Sequence, residues 1–271
     1  MSPAPEPVRP ADQSPDPVPV RVDDHGPVRV IRVDRPDRRN ALDLATKSAL
    51  ASALRAAEAD GTVGAVVLTG SDRYFVAGTD IGELARLSVA DHLRLRTGEV
   101  FDVVDQLDKP TIAAVEGFAL GGGCELALAC DLVVAGESAR FGQPEIRVGL
   151  VPGAGGLSRL VRAAGRHRAL RFVLTGDQVG ATEAYGLGIV SEIVPDGHAL
   201  TQAVSLAERI LAFSRLSVTL IRQVARAAEN EPLTGAVETE RRSFQLMFGT
   251  RDHDEGLRAF LERREPRFTG E

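Results

Sequence analysis

The chain has 271 residues, a formal net charge of −6 and a sequence pI of about 5.5. Nucleic acids and anionic membranes bind basic surfaces, so this charge argues against either as the main partner. The two cysteines, Cys124 and Cys130, form no CxxC pair, and the five histidines are scattered along the chain. These features predict no disulfide framework and no metal site, and they favour the reducing cytoplasm. The sequence shows no signal peptide and no apolar run long enough to span a bilayer.

The N-terminal segment differs in composition from the rest of the chain. Residues 1–20 contain seven prolines and few apolar residues, which predicts a disordered tail. We expect order to begin near Val28, where the alternating, β-branched "VRVIRV" predicts a strand. The turn "RPDRRNALD" follows, and Asp43 can cap a helix on which Leu50 and Leu54 share one face.

Apolar runs alternate with helical patterns through the middle of the chain. "VGAVVLTG", "PTIAAVEG" and "DLVVAG" predict buried strands, and between them Val100, Val104 and Leu107 form a helical stripe. This alternation predicts an α/β fold. From about residue 199 the strand patterns stop, and three helices are predicted whose apolar stripes need a partner surface. The predicted divisions are a tail over 1–20, an α/β core over 21–198 and a helical region over 199–271.

A glycine run opens the segment "GFALGGGCELALACD", residues 117–131, between a predicted strand and a predicted helix. The start of a helix presents unpaired N–H groups, and glycine lets another molecule approach them closely. A Walker loop would need lysine where Gly123 stands, and in "GAGGLS" a dinucleotide fingerprint would need glycine where Ser158 stands. No G-x-S-x-G motif is present. A backbone oxyanion hole is the remaining interpretation.

Two acidic residues lie in this glycine-rich, apolar context. Glu125 follows Gly122 by three residues, so the two share a helical face, although Glu125 could simply complement the helix dipole. Glu145 lies in "FGQPEIRVGLVPGAGG", just before a glycine-rich loop, and could be an ordinary loop carboxylate. Together they are suited to acid–base chemistry on a bound carbonyl compound.

The segment "FVAGTDIGEL" adds a further candidate donor. Asp80 and Glu83 have the spacing of a capping box, which predicts the start of a helix. The N–H of Thr79 would then point out of a tight turn just before that helix and could be a second donor of the oxyanion hole.

Several segments closely resemble the enoyl-CoA hydratase/isomerase (crotonase) family, from about residue 28 to the C-terminus. They are "AGTDI", "ALGGGCELALACD", "FGQPEIRVGLVPGAGGLSRL", "LTGDQVGATEAYGLGIVSEIVP" and "FGTRDHDEGLRAFLERREPRF". The resemblance implies a spiral of ββα turns with a C-terminal helical trimerisation region, assembled as a homotrimer or as a hexamer made of two trimers. It also implies an acyl-CoA thioester substrate and no separate cofactor.

The resemblance assigns roles to particular residues of this chain. The N–H groups of Thr79 and Gly122 would form the oxyanion hole for the thioester carbonyl, and Glu125 and Glu145 would be the catalytic carboxylates on either side of a water. The backbone of Gly153 would help to position that water. Many members of the family have alanine where Thr79 stands, but the hole uses only the backbone of this residue.

The loop "RPDRRNAL" matches the family region that contacts the CoA nucleotide. Arg35, Arg38 and Arg39 are therefore candidate phosphate partners, with Ala77 as a further CoA contact, although a solvated arginine cluster is an equally good interpretation of each arginine.

The expected function is that of an enoyl-CoA hydratase, which adds water to a trans-2-enoyl-CoA. Two alternatives remain at this stage: a Δ3,Δ2-enoyl-CoA isomerase, which needs a single base, and a non-catalytic acyl-CoA-binding homologue.

Overall fold

The computed structural model describes residues 18–270, so most of the predicted tail over residues 1–20 lies outside the described part. Order starts earlier than expected, because strand β1 (Val20–His25) precedes β2 (Val28–Val33) and pairs with it antiparallel. Only Val20 of β1 is buried. The apolar alternation of this edge strand ends after Val22, which is too short to predict a strand from sequence.

Two sheets form the core of the fold. The six-stranded sheet has the order β1-β2-β3-β5-β7-β10. Its remaining strands are β3 (Ala65–Thr69), β5 (Thr111–Val115), β7 (Leu132–Gly136) and β10 (Glu192–Val194). The four-stranded sheet has the order β4-β6-β8-β9. Its strands are β4 (Tyr74–Val76), β6 (Phe118–Leu120), β8 (Arg140–Gly142) and β9 (Gln178–Gly180).

The helices of the α/β part surround these sheets. They are α1 (Leu44–Ala59), α2 (Ile81–Leu84), α3 (Val89–Leu95), α4 (Glu99–Gln106), α5 (Gly122–Ala129), α6 (Gly156–Ala164), α7 (Arg166–Thr175) and α8 (Ala181–Gly186). The side chain of Asp43 accepts a hydrogen bond from the Thr46 N–H, so it caps α1 as the sequence predicts. Short 3₁₀ helices span Pro36–Arg38 and Pro144–Val148.

The chain repeats one unit three times. A five-residue strand enters the large sheet, a three-residue strand enters the small sheet, and a helical segment follows: β3-β4-α2, β5-β6-α5, and β7-β8 with the 3₁₀ helix Pro144–Val148. Strands β3, β5 and β7 are parallel neighbours, and β3 and β5 are buried along their whole length. The α/β fold with a spiral of ββα turns is thereby confirmed.

The C-terminal part, described up to residue 270, contains four helices, and the prediction of three was wrong. They are α9 (Ala199–Leu211), α10 (Arg215–Asn230), α11 (Leu233–Met247) and α12 (Arg251–Glu262). The long first segment of the prediction breaks at Ser214, whose side chain caps α10. Helix α9 packs its small residues, Ala199, Ala203 and Ala207, on the large sheet.

An ion pair fixes α10 to the α/β core. The buried Arg222 Nε donates to Asp131 Oδ2 at 2.8 Å, and its Nη1 donates to the Leu107 carbonyl. Across residues 18–270, no helix is long and apolar enough to cross a bilayer. Over the same range, His, Cys, Asp and Glu side chains form no group of three suited to a metal ion.

Candidate active site

Three loops that follow neighbouring strands of the small sheet form the candidate site. Strands β4, β6 and β8 run parallel, so the segments after them leave the sheet at the same edge. These segments are residues 77–80, 121–122 and 143–155. Ligand sites in α/β folds commonly form at the carboxyl ends of parallel strands.

The structure brings Thr79 and Gly122 together. A Cβ placed on Gly122 would lie 3.6 Å from the Thr79 backbone nitrogen and 3.1 Å from its Oγ1. The backbone groups on either side of Thr79 are hydrogen-bonded to Leu42. The Leu42 N–H donates to the Gly78 carbonyl, and the Asp80 N–H donates to the Leu42 carbonyl. The N–H groups of Thr79 and Gly122 themselves donate to no group within the described chain. Two free N–H donors at helix starts are suited to hold an oxygen that gains negative charge.

Other atoms lie too close to Gly121 and Gly123 for a side chain to fit at either position. Gly121 has φ +48°, and a Cβ there would lie 2.8 Å from Oε1 of Glu145. A Cβ on Gly123 would lie only 2.0 Å from the Val76 carbonyl oxygen. Glycine at these positions therefore lets α5 begin directly against β4 and beside a carboxylate.

Glu125 is held at the inner side of the site. Its side chain is 5% exposed, and Oε1 accepts hydrogen bonds from the N–H groups of Ala154 at 2.6 Å and Gly156 at 3.1 Å. Two donors on one oxygen fix the carboxylate and leave Oε2 for a ligand or a water. Neither Ala154 nor Gly156 was predicted from the sequence to be such a donor. The only signal for them is the run "GAGG", residues 153–156, which ends at the first residue of α6.

Glu145 lies in the first turn of the 3₁₀ helix and is half-buried. Burial raises the pKa of its carboxyl from 4.5 to about 7, and the charge of Glu125 acts in the same direction. A group that titrates near neutrality can both donate and accept a proton, which is the requirement for acid–base catalysis.

Gln143 is a site residue that was not predicted from the sequence. It is fully buried, and with its amide nitrogen turned toward Glu145 it donates to both carboxylate oxygens at 3.1 Å. A Cβ on Gly156 would lie 2.4 Å from the Gln143 amide and 2.9 Å from Cγ of Glu125. Gln143 and Gly156 therefore lie between the two carboxylates.

Gly153 belongs to the same loop but has a looser environment. It is exposed, and a Cβ there would meet no atom within 4 Å. The N–H groups that hold Glu125 are those one and three residues further along the chain. The water-positioning role of Gly153 stays a prediction.

The loop "RPDRRNAL", which carries Arg35, Arg38 and Arg39, contacts the site segment by a backbone hydrogen bond. The Ala77 N–H donates to the Arg39 carbonyl at 3.2 Å. Arg35 points into its own loop, where it pairs with Asp43 at 2.7 Å and donates to the Ala41 carbonyl. Arg38 and Arg39 are exposed, and their guanidinium groups contact no acidic partner in the described part of the chain. These two, and not Arg35, are the cations available to an outside phosphate.

Comparisons with known proteins find relatives over most of the chain. The family model described as "Enoyl-CoA hydratase/isomerase" matches residues 23–271. A probable mitochondrial enoyl-CoA hydratase of Dictyostelium discoideum is 42% identical over 241 residues, which cover 89% of this chain and 87% of that protein. The 2,3-dehydroadipyl-CoA hydratase of Escherichia coli is 41% identical over 90% of this chain and 95% of its own length.

A solved structure shows the same fold. The crystal structure of an enoyl-CoA hydratase from Geobacillus kaustophilus superposes with a TM-score of 0.91 at 39% identity. The match covers 94% of this chain and 99% of that one. With the family model matching nearly the whole described chain, the protein belongs to the enoyl-CoA hydratase/isomerase family.

Proposed function

We propose that this protein hydrates trans-2-enoyl-CoA thioesters to 3-hydroxyacyl-CoA. The observation that carries the proposal is the pair of carboxylates, Glu125 and Glu145, around the buried amide of Gln143. The free N–H groups of Thr79 and Gly122 lie on the adjoining loops.

In the proposed reaction, the thioester oxygen lies against the N–H groups of Thr79 and Gly122. Water attacks C3 while Glu125 accepts a proton from that water, and the electron pair of the C2–C3 double bond moves toward the thioester carbonyl. The two N–H groups stabilise the resulting enolate, and one such donor is typically worth about 10²–10³ in rate. Glu145 then delivers a proton to C2. Water is thus added across the double bond, and proton transfer returns the carboxylates to their starting states.

An isomerase is the second candidate. It moves one proton between C4 and C2, so it requires only one base. Two N–H donors hold Glu125 in place, and burial raises the pKa of Glu145 toward neutrality. Both carboxylates are therefore prepared for proton transfer, which favours hydration because hydration uses two such groups. A non-catalytic acyl-CoA-binding protein would have no use for either feature.

Glu125→Gln and Glu145→Gln test the proposal. Each change keeps the size of the side chain but removes its charge and basicity. We expect each variant to lower hydration of crotonyl-CoA by about 10²–10⁴ while CoA-ester binding is retained. The double variant should be far less than multiplicatively worse, because the pair acts as a unit.

The assay follows loss of the conjugated thioester absorbance with crotonyl-CoA, and turnover of a 3-enoyl-CoA in parallel. Hydration of crotonyl-CoA that needs both glutamates supports the proposal. If the wild type converts only the 3-enoyl substrate and one glutamine variant is near normal, the protein is an isomerase. If neither substrate reacts while acyl-CoA esters bind, it is a non-catalytic homologue.

We also propose that the protein assembles as a homotrimer or as a hexamer made of two trimers. The last helices expose large apolar side chains, namely Phe244, Leu246, Phe248, Leu257, Phe260 and Leu261, which range from 54% to 80% exposed. Such apolar surface typically marks an interface. Sedimentation showing a stable monomer at micromolar concentration would contradict this part of the proposal.

The proposed compartment is the cytoplasm. Cys124 and Cys130 are both free and buried, as expected of a protein kept in reducing conditions. The reaction transfers only water and protons, so the residues named above supply the groups that it needs and the proposal includes no cofactor.

A further inference from the structure

Arg159 lies near the start of α6, at the end of the helix where a cation is disfavoured. The N-terminal end of a helix carries the positive end of its dipole, and the first turn of α6 contains no acidic residue that would offset a nearby cation. The Arg159 side chain is also largely buried, with 24% of its surface exposed. A cation in this place therefore requires specific partners.

The partners of Arg159 lie in the loop before α6 and on α4. Its Nη1 donates to the Ala154 carbonyl at 3.1 Å, and its Nη2 donates to Oδ1 of Asp105 at 3.2 Å. The guanidinium group also lies directly against the backbone of Gly155, where any Cβ would overlap Nη1. The arginine side chain thus folds back over the loop that leads into its own helix.

Ala154 connects Arg159 to the proposed catalytic base. Its carbonyl accepts from Arg159, while its N–H donates to Oε1 of Glu125 at 2.6 Å. The Gly156 N–H reaches the same carboxylate oxygen at 3.1 Å. Both donors that hold Glu125 therefore belong to the three-residue segment 154–156, over which the Arg159 guanidinium lies.

This segment has few side chains of its own to fix it. Two of its three residues are glycines, which have the widest backbone freedom and nothing to pack. Gly155 has φ +92°, in the left-handed region that favours glycine. Only Ala154 contributes a methyl group to the core. Hydrogen bonds from outside the segment must therefore supply much of its order, and Arg159 supplies one of them.

Asp105 ties the other side of the guanidinium group to the packed core. It lies on α4 beside Val104, which is fully buried, and α4 packs on α5, the helix that carries Glu125. The Asp105 carboxylate is therefore held in a fixed relation to Glu125. Arg159 joins the 154–156 segment to that same packed unit.

The aim of Glu125 determines whether it can act as a base. A general base must lie within hydrogen-bond reach of the proton that it accepts. Oε1 of Glu125 takes both backbone donors, so movement of the 154–156 segment would turn the carboxylate and displace Oε2 from the attacking water. A misplacement of about 1 Å in a catalytic group can cost about 10²-fold in rate.

We propose that Arg159, oriented by Asp105, is a positioning residue for Glu125: it holds the 154–156 segment so that the carboxylate is aimed at the attacking water. This inference rests on the proposed hydratase function and adds two residues that control its base without touching the substrate. Because Arg159 acts through Ala154 on Glu125, its effect belongs to the chemical step and not to binding of the CoA ester.

The first test measures kcat and KM for crotonyl-CoA in variants of α6. Arg159→Met keeps the apolar stem but removes both hydrogen bonds, and we expect kcat to fall by about 10- to 100-fold with KM nearly unchanged. Arg159→Lys keeps the charge and should retain part of the rate. Arg162→Met is the matched control, since Arg162 is exposed on the same helix and makes no hydrogen bond or ion pair within residues 18–270; it should behave as the wild type.

A second test separates positioning from general damage to the fold. Arg159→Met is combined with Glu125→Gln, which removes the carboxylate whose aim is in question. If Arg159 acts through Glu125, the added change should alter kcat by less than about 2-fold, because two residues that act as one unit are not additive. A structural role would instead lower kcat by the same factor with or without Glu125.

Asp105→Asn keeps the inference testable if Arg159→Met does not fold. It changes a half-exposed side chain and should lower kcat by about 3- to 5-fold, as expected for loss of one partly exposed ion pair. This loss should also disappear when Glu125→Gln is present. Melting temperatures and circular dichroism establish that each variant is folded.

Several results would overturn the inference. They are wild-type kcat in folded Arg159→Met, a loss that appears in KM alone, or a loss of equal size with and without Glu125→Gln. For Asp105→Asn, wild-type kcat or an equal loss in both backgrounds has the same meaning. Hydration of crotonyl-CoA by the wild type, and its loss in Glu125→Gln, test the proposed function separately.

Discussion

Replacing Glu145 with glutamine should change how stability depends on pH. Burial raises the pKa of this carboxyl from 4.5 to about 7 in the folded protein, so folding is coupled to proton uptake between those two values. The contribution of Glu145 to stability is therefore fully present below about pH 4.5 and is lost as pH rises through about 7. A glutamine side chain cannot ionise, so the Glu145→Gln variant lacks this loss.

The size of the effect follows from the pKa change. One pKa unit is worth about 1.36 kcal/mol, so the change from 4.5 to about 7 corresponds to about 3 kcal/mol for a fully desolvated group. Glu145 is only half-buried, and solvent screening reduces the expected value to about 1–2 kcal/mol. The variant should gain this much stability relative to the wild type between about pH 5 and about pH 8.

Urea unfolding of both proteins at these two pH values, at one protein concentration, measures the effect. The fixed concentration matters because assembly shifts apparent stability by mass action. Titrating groups that do not interact with Glu145 are common to both proteins and cancel in the comparison, so only Glu145 and its neighbour Glu125 contribute to the difference. A difference in unfolding free energy that changes by less than about 0.5 kcal/mol between the two pH values would refute the raised pKa of Glu145.

Further predictions concern the backbone of the site. Thr79→Ala should keep most of the turnover of crotonyl-CoA, whereas Thr79→Pro should abolish it because proline has no N–H to donate; equal damage in two folded proteins would show that the hydroxyl is the functional group. Gly123→Ala should unfold the protein or lower its melting temperature sharply, since the new Cβ would lie 2.0 Å from the Val76 carbonyl oxygen. Gly153→Ala is its control, because the new methyl enters open space and should leave the melting temperature within a few degrees of the wild type.

Local sequence patterns were sufficient for most of the fold. Asp43 caps α1 as predicted, and the fully buried strands β3 and β5 match their apolar runs. Strand β1 was missed because its apolar alternation is only Val20 and Val22, followed by Asp23 and Asp24, and only Val20 is buried. The break at Ser214 was missed because the helical pattern of apolar residues continues on both sides of it.

The candidate site was predictable only in part. Glu125 and Glu145 lie in motifs that identify them, but the groups that control them come from elsewhere in the chain. The Ala154 N–H reaches Glu125 across 29 residues, and its position depends on how the third turn of the spiral packs on the second. Periodicity describes one element at a time and contains no information about such contacts.

In the proposed mechanism, the three turns of the spiral divide the chemistry among separate loops. The first turn supplies the N–H of Thr79, the second supplies Gly122 and Glu125, and the third supplies Glu145. Each loop follows its own strand of the small sheet, but the loops also contact one another, because the Ala154 and Gly156 N–H groups of the third turn hold Glu125 of the second. The proposed oxyanion hole uses only backbone N–H groups, so side chains can change around it without removing the donors. Evolution can therefore retain the means of stabilising an enolate and still change what that enolate becomes by replacing the acidic and basic side chains.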